Sequence, residues 1–518
     1  MTVAMEKDKH HDSESESTTT IPVDGGPPLE TGADRDLEPA HPENEKKLRV
    51  EDDVTLVEFK DGDPLNPLNM SPARKWLITI IVSNASLCVT CNSSIYTSTY
   101  TGIQDSLHIS HIVAIIGLTL FIAGLGTGPL FLAPLSEFFG RRPIYLISYT
   151  LFCLLNIPLA LSPTVWLFHP VRFIHGMTGS AFLSVAGGTV SDMFAKKDLG
   201  GPMAVYTASP FLGPVVGPIL GGFIVAGAGW RWVFWVSLIW SFVVLIAIAL
   251  GVPETYAPKL LVKVAARERQ ETGNPNLRAP MEVSQKSILK TIGVSVLRPF
   301  QLLIYEPIIL ALNIYTAFLL GILYLFFQAF PLVFHVSHGF PSSCTGLAFL
   351  GIGIGMVGAT LSQPYWNGLY ARRAQELAEK GEAMVPEERL RGAMVGGVLV
   401  PVGMLWFAFT SYKSIHWIVP IIAGIPFGAG VLLVYIPVFS FLVDSYRVYA
   451  ASALASNSFV RSSFAAGFPL FSSAMYARLG NVWASAVLGF ICLAMMPIPF
   501  FFFYKGQTLR KWSRYAYS

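Results

Sequence analysis

One feature rules this chain from Trp76 onward: apolar stretches of about 20 residues recur, separated by polar breaks. A helix of that length crosses a hydrocarbon core ~30 Å thick. Within such a core each backbone polar group must find its partner inside the segment, so segments of this length span as helices. The stretches fall at 76–98, 112–133, 143–162, 164–190, 203–225 and 231–252, then at 306–334, 346–366, 393–411, 416–443, 451–476 and 482–504. Twelve spans, six on each side of the polar segment 253–299, predict an all-α polytopic membrane protein built as two similar halves. Charged residues make up only 13% of the chain, about half of the roughly 25% that keeps a soluble surface wet.

The basic residues test the count, because Lys and Arg are retained on the cytoplasmic side. Arg74, Lys75, Arg141, Arg142, Lys196, Lys197, eight bases of segment 253–299, Arg372, Arg373, Lys380, Arg389, Arg391, Arg447 and four C-terminal bases fall on one side, 24 in all. The other side holds three: Arg231, Lys413 and Arg478. An odd number of spans in either half would destroy that alternation, so both ends are placed in the cytosol.

The organisation then reads as an acidic tail (1–69), a six-helix half (70–252), a central cytosolic loop (253–299), a second six-helix half (300–504) and a C-terminal tail (505–518). The first tail holds 18 of the 33 acids against 7 of the 36 bases and cannot bury enough apolar surface to fold alone. No signal peptide is read there, so the first apolar helix is expected to serve as its own signal. Two echoes suggest an internal repeat. Asp192 follows span 4 in VSDMF as Asp444 follows span 10 in LVDSY, and PLSEFFGRR (134–142) has a degraded partner in PYWNGLYARR (364–373).

Several patterns have a bland reading beside a functional one. Glu137, Gly140, Arg141 and Arg142 crowd the turn between spans 2 and 3; a positive-inside loop would need the arginines but not the glutamate. Arg172 stands inside span 4, where a charge is costly and marks function unless it snorkels to the interface. His175, one turn on, either titrates or is a hydrogen-bonded core histidine. Gly213, Gly217, Pro218, Gly221 and Gly222 place small residues on one face of span 5, which permits close helix contact. Gly353, Gly355 and Gly358 satisfy a dinucleotide-type spacing, but within an apolar helix they read as packing. Cys88 and Cys91 lack the second pair that a metal site needs. No cofactor, metal, nucleic-acid or enzymatic function is read.

These residues carry a resemblance. LAPLSEFFGRRP (132–143) resembles the loop 2–3 signature of the major facilitator superfamily, with Glu137 where Asp is usual and Phe138 where a base is usual. Arg172 with His175 resembles its span 4 Arg-x-x-Gln-Gly pattern, His replacing Gln, and GPVVGPILGG resembles the antiporter motif of its exporters. DPLNPLNMSPARKW (63–76), GWRWVFW (229–235) and PETYAPKLL (253–261) are similar to segments of the twelve-span fungal drug:proton antiporters. The resemblance implies a monomeric exporter of a small organic compound in the plasma membrane (the vacuolar membrane is the alternative), with protons as counter-ion.

Under that plan the gate is Glu137, Gly140, Arg141, Arg142 and Asp192, with Arg141 paired to Asp192 and Glu137 against the N-terminus of span 11. Arg172 and His175 serve charge or proton coupling. The substrate cavity is expected to draw on Asn92, Tyr96, Tyr315, Tyr324, Gln328, Tyr435, Asn457 and Arg461. Span 1 has no carboxylate, so His175, Glu306 and Asp105 are the weak proton-carrying candidates. The middles of the cavity-facing spans offer Arg172, Arg461 and many rings but no Asp or Glu, which favours a planar, neutral or weakly anionic substrate over a polyamine. A polyamine exporter and a non-transporting nutrient sensor are the alternatives.

Overall fold

A computed structural model describes residues 55–516 apart from 61, 196–197, 284–286, 383 and 447–448. The tail before residue 55, and the bases Lys196, Lys197, Lys286 and Arg447, lie outside the described residues. Among the described residues, ten helical stretches are long and apolar enough to cross a membrane: Pro72–Leu107, His111–Phe139, Arg141–Leu161, Gly200–Ala228, Arg231–Gly251, Pro307–Ser337, Ser343–Glu379, Pro386–Thr410, Ile418–Ser445 and Ala450–Arg510.

Two local irregularities separate these ten from the twelve spans of the sequence. The last stretch carries two, because Gly480 turns the chain at φ 74, ψ 168, a conformation open to glycine and costly for other residues. Span 4 is divided into Val165–Gly179, Ala181–Ser184 and Ala186–Met193, each too short by itself. Its break has a cause. The Ser180 hydroxyl donates back to Met177 O at 2.7 Å and its N–H tightens to the same carbonyl at 3.3 Å. Such back-bonding competes with the helical ladder.

Spans 2 and 4 touch at backbone distance, since a Cβ on Gly124 would meet Phe173 O and one on Gly176 would meet Phe121 O. Spans 8 and 10 repeat this at Gly351, Gly355 and Gly428. Apolar residues such as Leu250 (86% exposed) and Leu361 (76%) ring the outside, a surface suited to lipid. The two halves meet through spans 2 and 11, where Thr119 donates to Ala466 O at 2.8 Å, and through spans 1 and 7, where Ser93 and Tyr324 share a 2.8 Å hydroxyl bond.

The described residues of the central segment include a strand and helices. β1 (Thr55–Leu56) pairs in parallel with β2 (Leu277–Arg278) beside a helix at Ala257–Thr272. Val57, Val264, Ala265 and Ala279 form a small core beneath them, and Lys60 meets Glu268 at 2.7 Å. Arg269 forks onto both oxygens of Glu282 at 2.9 Å and holds that carboxyl below its usual range. A second helix, Ile288–Tyr305, packs along the end of span 2 and crosses the 299/300 boundary drawn from sequence.

Candidate functional site

The turn between spans 2 and 3 is built around Gly140, whose φ of 92 lies in the left-handed region. A Cβ there would also strike the Glu254 carboxylate, so the glycine serves both backbone and neighbour. Arg141 Nε lies 3.3 Å from Asp192 Oδ2. Its Nη1 donates to Ser136 at 2.7 Å, and its guanidinium lies 4.6 Å over the Tyr256 ring. The second acid of this cluster is Glu254, which accepts from the N–H groups of Arg141 (2.9 Å), Arg142 (3.2 Å), Thr255 (3.0 Å) and Tyr256 (2.9 Å). It therefore caps span 3, satisfying two of the free N–H groups at that helix start. Arg142 reaches Ala249 O at 3.0 Å and so ties the same turn to span 6.

Glu137 takes none of this. It is exposed, engages no hydrogen-bond or ion-pair partner among the described residues, and its helix end rests on Ile288–Tyr305 rather than on the start of span 11 alone. Sequence reasoning missed Glu254 because it lies 112 positions from Arg142; the only signal was its place in PETYAPKLL.

Arg172 is fully buried. Its Nε donates to Gly117 O at 3.2 Å, its terminal nitrogens reach Asn92 O at 3.4 and 3.5 Å, and the rings of Tyr96 and Phe121 each lie 4.4 Å away. It thus joins span 4 to spans 1 and 2 and does not snorkel. Tyr96 donates to Ala114 O at 2.7 Å. His175 stacks on Phe152 with centroids 4.3 Å apart, Asn156 is 3.4 Å from its Nε2, and its Nδ1 has no partner.

The small-residue face of span 5 packs on span 1. A Cβ on Gly213 would meet Thr90 Oγ1, one on Gly217 would meet Ser94 Oγ, and one on Gly221 would lie 2.6 Å from Ser98 Oγ. Three glycines thus face three hydroxyls a turn apart. Ser94 donates to Gly213 O at 3.3 Å. Pro218 and Gly222 are buried on the same helix, and the Pro218 carbonyl faces Gly346 at the head of span 8.

The remaining cavity candidates separate into two groups. Asn457 lies inside the second half, its amide nitrogen donating to Asn313 (2.9 Å) and Thr316 (2.8 Å) and its Oδ1 without a partner, while Asn313 donates to Ser456 (3.0 Å). Asn92 bonds its own helix at Cys88 O (3.1 Å), and Tyr315 is buried 3.4 Å from where a Cβ on Gly397 would stand. Tyr324, Gln328, Tyr435 and Arg461 lie nearer the seam. Tyr324 bonds Ser93 across it, Gln328 Nε2 has no partner, and Tyr435 stacks against Phe211 of span 5 at 4.6 Å with its hydroxyl on Thr316 O. Arg461 lies 5.6 to 5.8 Å from the rings of Phe439, Phe211 and Tyr435.

Glu306, a weak proton candidate from sequence, is buried and fully engaged. It accepts from Tyr446 (3.0 Å), Ser513 (2.6 Å), Arg514 N (3.0 Å) and Tyr515 N (3.1 Å), which ties the C-terminal tail to the foot of span 7. Asp105, the other carboxylate candidate, is exposed.

A family model described as Major Facilitator Superfamily matches residues 82–469. "Efflux pump atB" of Aspergillus terreus is 44% identical over 494 residues, covering 95% of this chain and 94% of that protein. "Probable drug/proton antiporter YHK8" of Saccharomyces cerevisiae is 42% identical over 451 residues, 87% of each. Among solved structures, the proton:xylose symporter XylE from E. coli aligns with a TM-score of 0.59 at 16% identity, covering 84% of this chain and 96% of that one, a likeness of fold alone. A paired-half helical bundle with a charged turn after span 2, matched over most of its length by these relatives, belongs to the major facilitator superfamily, and the chain is a membrane-spanning transporter of small molecules.

Proposed function

We propose that this chain exports a small organic compound in exchange for protons. The observation that carries the direction is the face of Gly213, Gly217 and Gly221 set against Thr90, Ser94 and Ser98. A helix pair closed at backbone distance resists opening, because no side chain can give way. The relatives named as an efflux pump and a drug/proton antiporter support the same direction. The Arg141–Asp192–Glu254 cluster holds the cytosolic ends of spans 3, 4 and 6 together and acts as the inner gate. His175 carries the proton: it is a fully buried ionisable group one turn from Arg172, with a ring nitrogen left without a partner. The transporter works as a monomer in the lipid bilayer of the plasma membrane rather than the vacuolar membrane.

Purified protein in proteoliposomes, loaded with a fluorescent aromatic dye under an imposed pH gradient, tests this reading. Efflux should follow the gradient, stop with a protonophore, and lose its pH dependence in His175→Gln. Flux indifferent to the gradient would remove the proton exchange. Strong competition by spermidine, with none from a neutral aromatic toxin, would restore the polyamine alternative.

A further inference from the structure

Two arginines stand inside the bundle, and only one of them is satisfied. Arg172 spends its charge on two backbone carbonyls and two rings at 4.4 Å. Arg461, in span 11, has no comparable set. Its Nε is buried without a hydrogen-bond partner, and no carboxylate pairs with it among the described residues.

Its place in the fold is equally specific. One ring beside it, Phe211, comes from span 5 of the first half; the other two, Tyr435 and Phe439, come from span 10 of the second. The neighbouring Ser462 meets Gly126 of span 2. Arg461 therefore sits on the seam between the halves, and it keeps part of its surface accessible there. The rings are fixed: Phe211 and Tyr435 stack at 4.6 Å, Tyr435 meets Phe439 edge-on at 5.6 Å, and Tyr435 is anchored through its hydroxyl to span 7.

A guanidinium offers five donors and no acceptor, and its fork matches a carboxylate. Within a membrane such a charge is costly until something supplies the counter-charge. Rings near 6 Å offer only a weak substitute. No described side chain supplies the anion, and on the export reading above the substrate passes along the seam between the halves.

We propose that Arg461 is the anion receptor of the transport path, and that the exported compounds are planar organic acids. The carboxylate or phenolate takes the free guanidinium, and the flat body lies against Phe211, Tyr435 and Phe439. This rests on the export reading above and narrows its substrate class.

Binding is measured on the full chain in lipid nanodiscs, with naphthoate and its neutral isostere naphthamide as probes. The wild-type chain should bind naphthoate more tightly than naphthamide by on the order of tenfold, the scale of a charge-assisted hydrogen bond. Arg461→Gln should erase that preference, and Arg461→Lys, which keeps the charge but not the fork, should retain part of it. Equal binding of the two probes, binding of neither, or a preference that survives in Arg461→Gln would each overturn the proposal. Efflux of the aromatic dye is read separately in proteoliposomes. Naphthoate selectivity without flux would leave the receptor standing and remove the exporter; flux without selectivity would do the reverse.

Discussion

The two halves close one end with the same pair of residue types and then diverge. In the first, Asp192 after span 4 meets Arg141 at the start of span 3; in the second, Asp444 after span 10 meets Arg389 at the start of span 9, at 2.9 Å. Each arginine lies over a tyrosine, Tyr256 at 4.6 Å and Tyr370 at 3.9 Å. The third member then differs. Glu254, after span 6, caps the start of span 3 through backbone N–H groups, whereas the segment after span 12 contributes a base, Arg510, to an acid before span 9, Glu387. The position is repeated and the sign of the charge is exchanged. The helix contacts diverge likewise. Span 5 meets span 1 through glycines, while span 11 meets span 7 through the amides and hydroxyls of Asn457, Asn313, Ser456 and Thr316. What the halves share here is the Arg–Asp pair beside a tyrosine; what differs is the third partner and the way the helices meet.

The largest effect should come from the buried pair. Arg510 and Glu387 are 6% and 4% exposed and join at 2.7 and 3.0 Å. Glu387→Ala leaves a buried guanidinium without this carboxylate, a loss of about 3–5 kcal/mol. Thermal unfolding followed by size-exclusion chromatography should show little folded protein. Replacing both residues with apolar ones of similar volume should recover much of the stability, because the pair itself was costly to desolvate. An unchanged melting profile for Glu387→Ala would mean that this half is not held there.

A smaller loss is expected at the glycine face, where the halves differ most. Gly217→Val drives methyl groups into Ser94 and the backbone at Cys91 and Ile95. Overpacking of that kind costs about 1–3 kcal/mol, so the variant should reach the membrane in reduced amount and lose transport. Gly227→Ala, on the same helix but with nothing within 4 Å, should transport normally. Equal flux from both variants would show that spans 1 and 5 move freely past each other.

Much of this architecture could be read in advance, and the failures share a cause. Helix length and the Lys/Arg alternation are local or periodic, so the spans followed from residue order, as did the turn at Gly140 and the small-residue face of span 5. Pairings across a hundred positions leave no such mark: Glu254 on Arg141, Glu387 on Arg510 and Glu306 on the C-terminal tail became visible only in space. The repeat was misplaced for the same reason. Similarity of PLSEFFGRR to PYWNGLYARR pointed to Arg372 and Arg373, yet the counterpart of Arg141 is Arg389, because loop 8–9 carries an extra helical run through Glu379. Asn457, read as lining a cavity, donates to Asn313 and Thr316 of span 7 and keeps its own Oδ1 without a partner, an arrangement that residue order does not show.

The two salt bridges should rank by burial. The side chains of Arg141 and Asp192 are 13% and 20% exposed, those of Arg389 and Asp444 31% and 33%. Solvent weakens the second pair toward the usual surface value of about 0–1 kcal/mol. Arg141→Gln should therefore cut dye efflux severely, and Arg389→Gln should reduce it only a few fold. A reversed order would place the working gate in the second half.

The smallest effect is expected at Glu137, although the sequence made it the leading gate residue. The carboxylate that meets Arg141 and Arg142 through their N–H groups is Glu254, and it satisfies donors that otherwise face no acceptor. Removing it as Glu254→Ala should cost about 0.5–2 kcal/mol, as loss of a helix cap does, and should loosen the turn that Gly140 makes. Glu137 is exposed and partnerless among the described residues, and changes at such positions stay within about 0.5 kcal/mol. Glu137→Ala should therefore melt and transport nearly as the parent chain does, while Glu254→Ala loses both stability and flux. If Glu137→Ala abolished efflux at unchanged protein amount, the side chain would have to find a partner in another state of the cycle, and the start of span 11 is the candidate drawn from the sequence. Cross-linking Glu137→Cys to Ala450→Cys, with and without a pH gradient, would then show whether that contact forms.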